Sequence, residues 1–286
     1  MRHVLDRSPS VGRLAGARML ATTFALVLLA MAPRASRAEI VYATGFETPT
    51  FTANQPVAGQ DGWTSRLGSS AGTISTNTPA SGQQALEFQA SQLPLFGFGF
   101  NLETVRNILD FDVVAAGARG VNVAADVRLN GPGLQDDLVE AIFSATDPNF
   151  LDYGQMQISA DGHVYVYGSK FDDSFVGSIT RNTYHHLAMA IDFYDRETTF
   201  SVDGADIATF GFDPALQTTI FRAGSLHMAA PTDPSLADPA LYSANFDNFR
   251  VDSIPEPPAL ALLAIGLLAL PWLLRFAKAA APIRAS

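Results

Sequence analysis

The stretch Gly120–Asn130, GVNVAADVRLN, leaves few folds open. Val121, Val123, Ala125, Val127 and Leu129 fall on one side of an extended chain, and Asn122, Asp126 and Arg128 on the other. An apolar residue at every second position suits a half-buried strand, because side chains alternate across a pleated ribbon. It does not suit a helix, whose apolar stripe repeats every ~3.6 residues. The period recurs along the chain. HHLAMAIDF sets Leu187, Met189, Ile191 and Phe193 on one face, and TTFSVDG groups Phe200 with Val202. HVYVYG places Val164 and Val166 opposite His163, Tyr165 and Tyr167. Turn formers separate these runs: Asn130-Gly131-Pro132-Gly133, Asp161-Gly162 and Asp203-Gly204. Many short antiparallel strands with one buried face predict an all-β domain, a two-sheet antiparallel jelly roll or sandwich. A short helix near Pro214–Thr219 is the one departure the pattern leaves room for.

Two apolar segments lie outside this pattern. Arg2, Arg7, Arg13 and Arg18 precede the uncharged run Leu20–Ala32, which ends at Pro33-Arg34-Ala35-Ser36-Arg37-Ala38. A basic start, a short apolar run and small residues at Ser36 and Ala38 predict a signal peptide over 1–38. The β-domain is expected over 39–252 and a C-terminal segment over 253–286. That segment opens on Pro255-Glu256-Pro257 and continues into an apolar span at about 258–274. Ala259–Leu274 holds 16 uncharged residues, slightly short of the ~20 of a comfortable transmembrane helix. Arg275 and Lys278 then act as a membrane stop, and basic residues after the span favour a cytoplasmic C-terminus. A permanent anchor and a removable tether both fit.

Charge narrows the partners. Residues 39–254 hold 9 Lys/Arg and 26 Asp/Glu, a net charge of −17, because six basic residues lie in the leader and three in the tail. Such a domain repels nucleic acid. The chain has no cysteine, which excludes disulfides, thiol catalysis and Cys-based metal sites.

Two resemblances add to this reading. NTYHHLAMAIDFYDRETTFSVDGADIATFGF resembles the laminin-G/concanavalin-A-like pattern through Tyr184, His185, His186, Asp192 and Val202-Asp203-Gly204. Tyr184 stands where that family usually has Trp. TGFETPTF with GQDGWTS, and NFDNFRVDS, look like the first and last strands of such jelly rolls. The resemblance implies a structural Ca²⁺ joining first strand to last, with Glu47 and Asp247 as ligands. Hard carboxylate oxygens suit that ion. The alternative is a solvated Glu47 and an Asp247 that caps a turn. The C-terminus resembles the PEP-CTERM sorting signal, which implies an exosortase-type protease acting at Pro255, Glu256 and Pro257. Its basic residues are more scattered than in that family.

Candidate chemistry is sparse. No strand carries the acid cluster of concanavalin-A-like glycosidases: Asp110-Phe111-Asp112 lacks a following Glu, and Asp136 and Asp137, as neighbours, face opposite sides of a strand. The domain is therefore expected not to be an enzyme. His185 and His186 face opposite ways and do not share a metal easily. His163, Tyr165 and Tyr167 line one strand face, where their rings stack on sugars or pack across strands. The expected function is an exported surface or extracellular-matrix protein, associated with extracellular polysaccharide and held by a membrane tail until processing. A lectin-like carbohydrate-binding module is the second reading and a glycoside hydrolase the third.

Overall fold

The computed structural model describes residues 38–256, apart from 67–71, 98–99, 133–137, 169–172 and positions 214, 217, 234 and 237. Among the described residues the chain is built from strands and two short 3₁₀ turns, Ala90–Gln92 and Pro239–Leu241. In chain order the strands are β1 (Ile40–Thr44), β2 (Trp63–Ser65), β3 (Gly72–Ser75), β4 (Ala85–Gln89), β5 (Leu95–Gly97), β6 (Phe100–Asp112), β7 (Ala118–Asn130) and β8 (Glu140–Thr146). They continue as β9 (Asp152–Ser159), β10 (His163–Gly168), β11 (Asp173–Ser178), β12 (His185–Asp192), β13 (Glu197–Val202), β14 (Ala205–Gly211), β15 (Ile220–Pro231) and β16 (Ser243–Pro255).

These strands form two antiparallel sheets of eight. The first runs β14-β13-β12-β7-β16-β4-β3, with β1 also paired to β16. The second runs β11-β10-β9-β8-β15-β6-β2, with β5 on β6. The long strands β6 and β7 follow each other in sequence but lie in opposite sheets, as do β15 and β16. The fold is a two-sheet antiparallel jelly roll, all-β as the alternation predicts. The apolar half of each strand turns inward. Val121, Val123 and Val127 of β7 meet Phe143 of β8, Met156 of β9, Leu187 and Met189 of β12, and Leu226 of β15, all fully buried. Asp203 and Gly204 close the β13–β14 hairpin with φ of 51° and 81°, the left-handed pair that matches the twist of the flanking strands. Near Pro214–Thr219 the described residues form a turn, closed by Leu216 N–H to the Asp213 carbonyl, rather than the expected short helix.

Chain closure involves both ends of the domain. β1 lies along β16, with Thr44 opposite Phe249. Phe46, Trp63 and Phe249 pack edge-on around this junction, with ring centroids 5.4 Å (Phe46–Trp63) and 5.2 Å (Trp63–Phe249) apart. The indole N–H donates to Tyr42 Oη at 3.0 Å, and Tyr42 donates to Asp61 at 2.6 Å. A buried polar ring edge is satisfied in this way without breaking the aromatic cluster. The final strand reaches Pro255, opposite Ala118, so the Pro-Glu-Pro tripeptide begins on the last paired residue. No described helix is long and apolar enough to cross a membrane. The signal segment, Pro257, the apolar span, Arg275 and Lys278 lie outside the described residues.

Candidate functional site

Glu47 and Asp247 act on the same loop, each as an acceptor of backbone N–H groups. Glu47 Oε1 accepts the N–H groups of Gln83 and Gln84 at 2.7 and 3.0 Å. Asp247 Oδ2 accepts those of Ala80 and Ser81 at 2.9 and 3.0 Å, and its Oδ1 accepts Asn248 N–H at 2.7 Å. Both carboxylates therefore hold the loop that leads into β4. Gly82, at φ 62°, lies so close to Glu47 that a Cβ there would clash with the carboxylate. A Ca²⁺ takes ~6–8 oxygens. Here N–H hydrogens already point at Glu47 Oε1 and at both Asp247 oxygens. Among the described residues no cluster of three His, Asp or Glu is arranged for a metal. As placed, these oxygens do not fit a calcium clamp: the carboxylates hold the loop directly, through its backbone N–H groups.

The histidine pair also separates. His185 is buried, with Nδ1 2.7 Å from Asp203 and Nε2 2.8 Å from the Thr180 carbonyl. His186 faces the other way and bonds Asp126 at 2.7 Å. That hydrogen bond raises the His186 pKa, against a smaller opposing effect of burial.

The outward face of the second sheet is more informative. Strand register sets its side chains in rows. One row runs Phe175, Tyr165, Gln157, Ile142, His227, Thr104, across β11, β10, β9, β8, β15 and β6. The next runs Tyr167, Gln155, Ser144, Ser225, Arg106, Thr64. Polar side chains in the middle are recessed: Ser144 is 1% exposed, Thr104 2%, Ser225 3% and Gln157 7%. The period that buries Phe143, Leu226 and Met228 on one side aims these groups out of the other.

His227 sits at the centre. Its Nδ1 lies 3.0 Å from Thr104 Oγ1 and its Nε2 3.0 Å from Ser144 Oγ. Removal from water, with the charges of Arg106 and Arg66 added, pushes its pKa down to about 3, so the ring is neutral at physiological pH. Two buried polar atoms on this face have no hydrogen-bond partner, Gln157 Oε1 and Thr146 Oγ1. Such atoms are costly unless a ligand or water meets them.

The two ends of the face differ. At the β10–β11 edge His163, Tyr165 and the exposed Phe175 form an aromatic cluster, with Phe175 5.0 Å from His163 and 5.8 Å from Tyr165. Tyr167 heads the adjacent row, while His163 Nδ1 also pairs with Asp161 at 2.7 Å. At the other end Arg106 lies over the Phe150 ring, 4.3 Å from its centroid. The loop carrying Phe150 is fixed by Arg222, which donates to the Pro148 carbonyl and pairs with Asp110 through two hydrogen bonds. Asp110 is thereby spent on an ion pair, and Asp112 accepts from Ala115 N–H; Asp136 and Asp137 lie outside the described residues. Asp152 follows the same loop, opposite Thr146. Loss of solvation, reinforced by the Asp147 carboxylate and opposed by Arg66, lifts its pKa to about 6.

No protein-family model matches the chain, and no curated protein matches it in sequence. By shape it is similar to the carbohydrate recognition domain of Emp47p, at TM-score 0.50 and 10% identity, over 77% of this chain and 98% of that domain. The transglycosylase Crh5 in complex with NAG matches at TM-score 0.47 and 16% identity, over 78% of this chain and 86% of that one. Winged bean acidic lectin in complex with methyl-α-D-galactose matches at TM-score 0.48 and 8% identity, over 76% and 99%. The Emp47p domain and this chain share the two-sheet jelly-roll fold. A sialidase also matches, over 66% of this chain, which spans 17% of the sialidase's length.

The expectation of a non-enzyme is corrected. Chains of this shape include the transglycosylase, the sialidase, a carbohydrate esterase from bacteriophage phi24B and an O-glycanase. The expectation rested on a missing acid pair within one strand. Asp152 lies outside any such motif, at the start of β9, opposite Thr146.

Proposed function

We propose that the chain is an exported glycan-binding protein of the cell surface or extracellular matrix, with the second sheet's outward face as its binding site. The observation that carries this reading is the recessed polar floor with the unpartnered Gln157 Oε1 beside the Tyr165–Phe175 cluster at its edge. A sugar offers both complements: hydroxyls for the polar floor and a C–H face for the rings. The fold alone does not carry function, but the Emp47p carbohydrate recognition domain shares it. The test is retention of the full chain on immobilised polysaccharides. Tyr165→Ala is expected to weaken retention about tenfold, ~1.4 kcal/mol, with the melting curve unchanged. Absence of retention on every glycan would sink the proposal.

The route to the surface is part of the same reading. The leader directs export, and Pro255-Glu256-Pro257 with the apolar span and Arg275 and Lys278 serves as a sorting tail for an exosortase-type protease. Intact-mass spectrometry of the cell-surface form is expected to show loss of residues 1–38 and of the segment after the tripeptide. A mature chain ending at Ser286 would instead mean a permanent anchor.

One observation favours a second reading, a glycan-active enzyme. Asp152, with its pKa lifted to about 6, shares the Arg66 neighbourhood with His227 and stands beside Asp147. Glycosidic cleavage uses a pair of carboxyl groups, one of them able to donate a proton near neutral pH.

A further inference from the structure

The β6 end of the face carries a charge pattern that a neutral sugar leaves unused. In this acidic domain carboxylates capture several arginines: Arg119 pairs with Asp192 and Asp195, Arg222 with Asp110, and Arg250 with Asp252. Arg106 is treated differently. It has no hydrogen bond or ion pair to a carboxylate among the described residues, and its guanidinium carbon lies 4.3 Å from the Phe150 ring centroid. Arg66 is close enough to repel it, and Arg106 is partly withdrawn from water. Two guanidiniums near enough to repel each other, one without a carboxylate partner, are unfavourable until an anion lies near both. Asp152 is the nearby carboxylate, and its interaction is with Arg66 and Asp147.

A guanidinium with no carboxylate partner can grip a carboxylate or sulfate through two parallel bonds. From Arg106 the floor continues through Ser225 and Ser144 in one row, and through His227 and Gln157 in the next. All of these are neutral, and the rows end at Tyr165 and Tyr167 on β10. From β6 to β10 is about 19 Å, four steps at the ~4.8 Å spacing of neighbouring strands. That length takes an oligosaccharide laid across the strands rather than a single sugar.

We infer that the face recognises an acidic glycan, with the carboxylate or sulfate of one sugar held by Arg106 and neutral rings running toward the Tyr165 cluster. The inference rests on the glycan-binding reading and names its substrate class. The domain's net charge sharpens the test, since −17 over residues 39–254 should repel a polyanion. Binding to one therefore requires a local site.

The experiment compares the full chain on polygalacturonate, dextran sulfate and neutral dextran by affinity electrophoresis. Polygalacturonate or dextran sulfate is expected to bind at least tenfold more tightly than dextran. The polymer that does so identifies uronate or sulfate as the anion. Arg106→Gln is expected to remove that preference, bringing binding of the acidic polymers to the level of neutral dextran, and Arg106→Lys to retain part of it. Thermal melting of both variants guards against misfolding, and Arg106→Lys carries the test if the Gln variant does not fold. Equal binding of acidic and neutral polymers, or a preference that survives Arg106→Gln, overturns the inference and leaves the glycan reading intact. Absence of binding to all three, with no retention on any other glycan, overturns both.

Discussion

Asp247→Ala is expected to cost about 3 kcal/mol and to lower the melting temperature by roughly 6–12 °C, at about 2–4 °C per kcal/mol for a domain of this size. Asp247 is fully buried and accepts three backbone N–H groups, from Ala80, Ser81 and Asn248. Alanine leaves all three without their acceptor, and a buried donor that loses its partner costs ~1–3 kcal/mol. Burial raises the Asp247 pKa, and the same three N–H groups oppose it. Removing the carboxylate also recovers some solvation cost, which keeps the expected loss below the sum of three orphaned donors. Glu47→Ala frees only Gln83 and Gln84, on a more exposed part of the loop, and is expected to cost less. EDTA is expected to leave the wild-type melting curve in place. A melting temperature that falls with EDTA in the wild type, but not in Glu47→Ala, would restore the calcium clamp.

Asp152→Asn gives the largest expected change in turnover, a loss of about 10²–10⁴-fold in glycan cleavage, as removal of a positioned proton donor does. The direction of the pH dependence follows from the shift. An Asp lifted to about 6 is protonated below that pH and loses its proton above it. A step that needs the acid form therefore slows about tenfold per pH unit above ~6. The measurement is reducing-end release from whichever polysaccharide the chain retains. Binding by Asp152→Asn should persist, which separates the chemical role from a folding defect. Unchanged reducing-end release in Asp152→Asn, or retention with no release by the wild type at any pH, would leave a binding protein and end the enzyme reading.

These two residues show how differently the parts of the site stood out in the sequence. Asp247 lies in a recognisable last-strand segment, and a turn-capping role for it is among the readings the sequence offers. The partner loop, Ala80–Gln84, is not legible there, because it meets both carboxylates through backbone N–H groups. Tyr165 and Tyr167 were legible because a single hairpin strand displays them at period two. Gln157 was within reach, being opposite Tyr165 across a short turn. Arg106, Ser144 and His227 sit in strands with the same alternation, but nothing local marks them as one site.

The side of each strand that faces the core follows from the alternation of apolar and polar residues, because that pattern depends only on neighbours two positions apart. The two-sheet all-β architecture follows in turn, since so many one-faced strands must bury their apolar halves against each other. The order of the strands within a sheet is not local. His227 is bonded by Thr104 and Ser144, 123 and 83 residues away, only because β15 lies between β6 and β8. The packing of β15 there depends on the whole core, and with it the recessed row, the Arg106 end and the lifted pKa of Asp152 come into being.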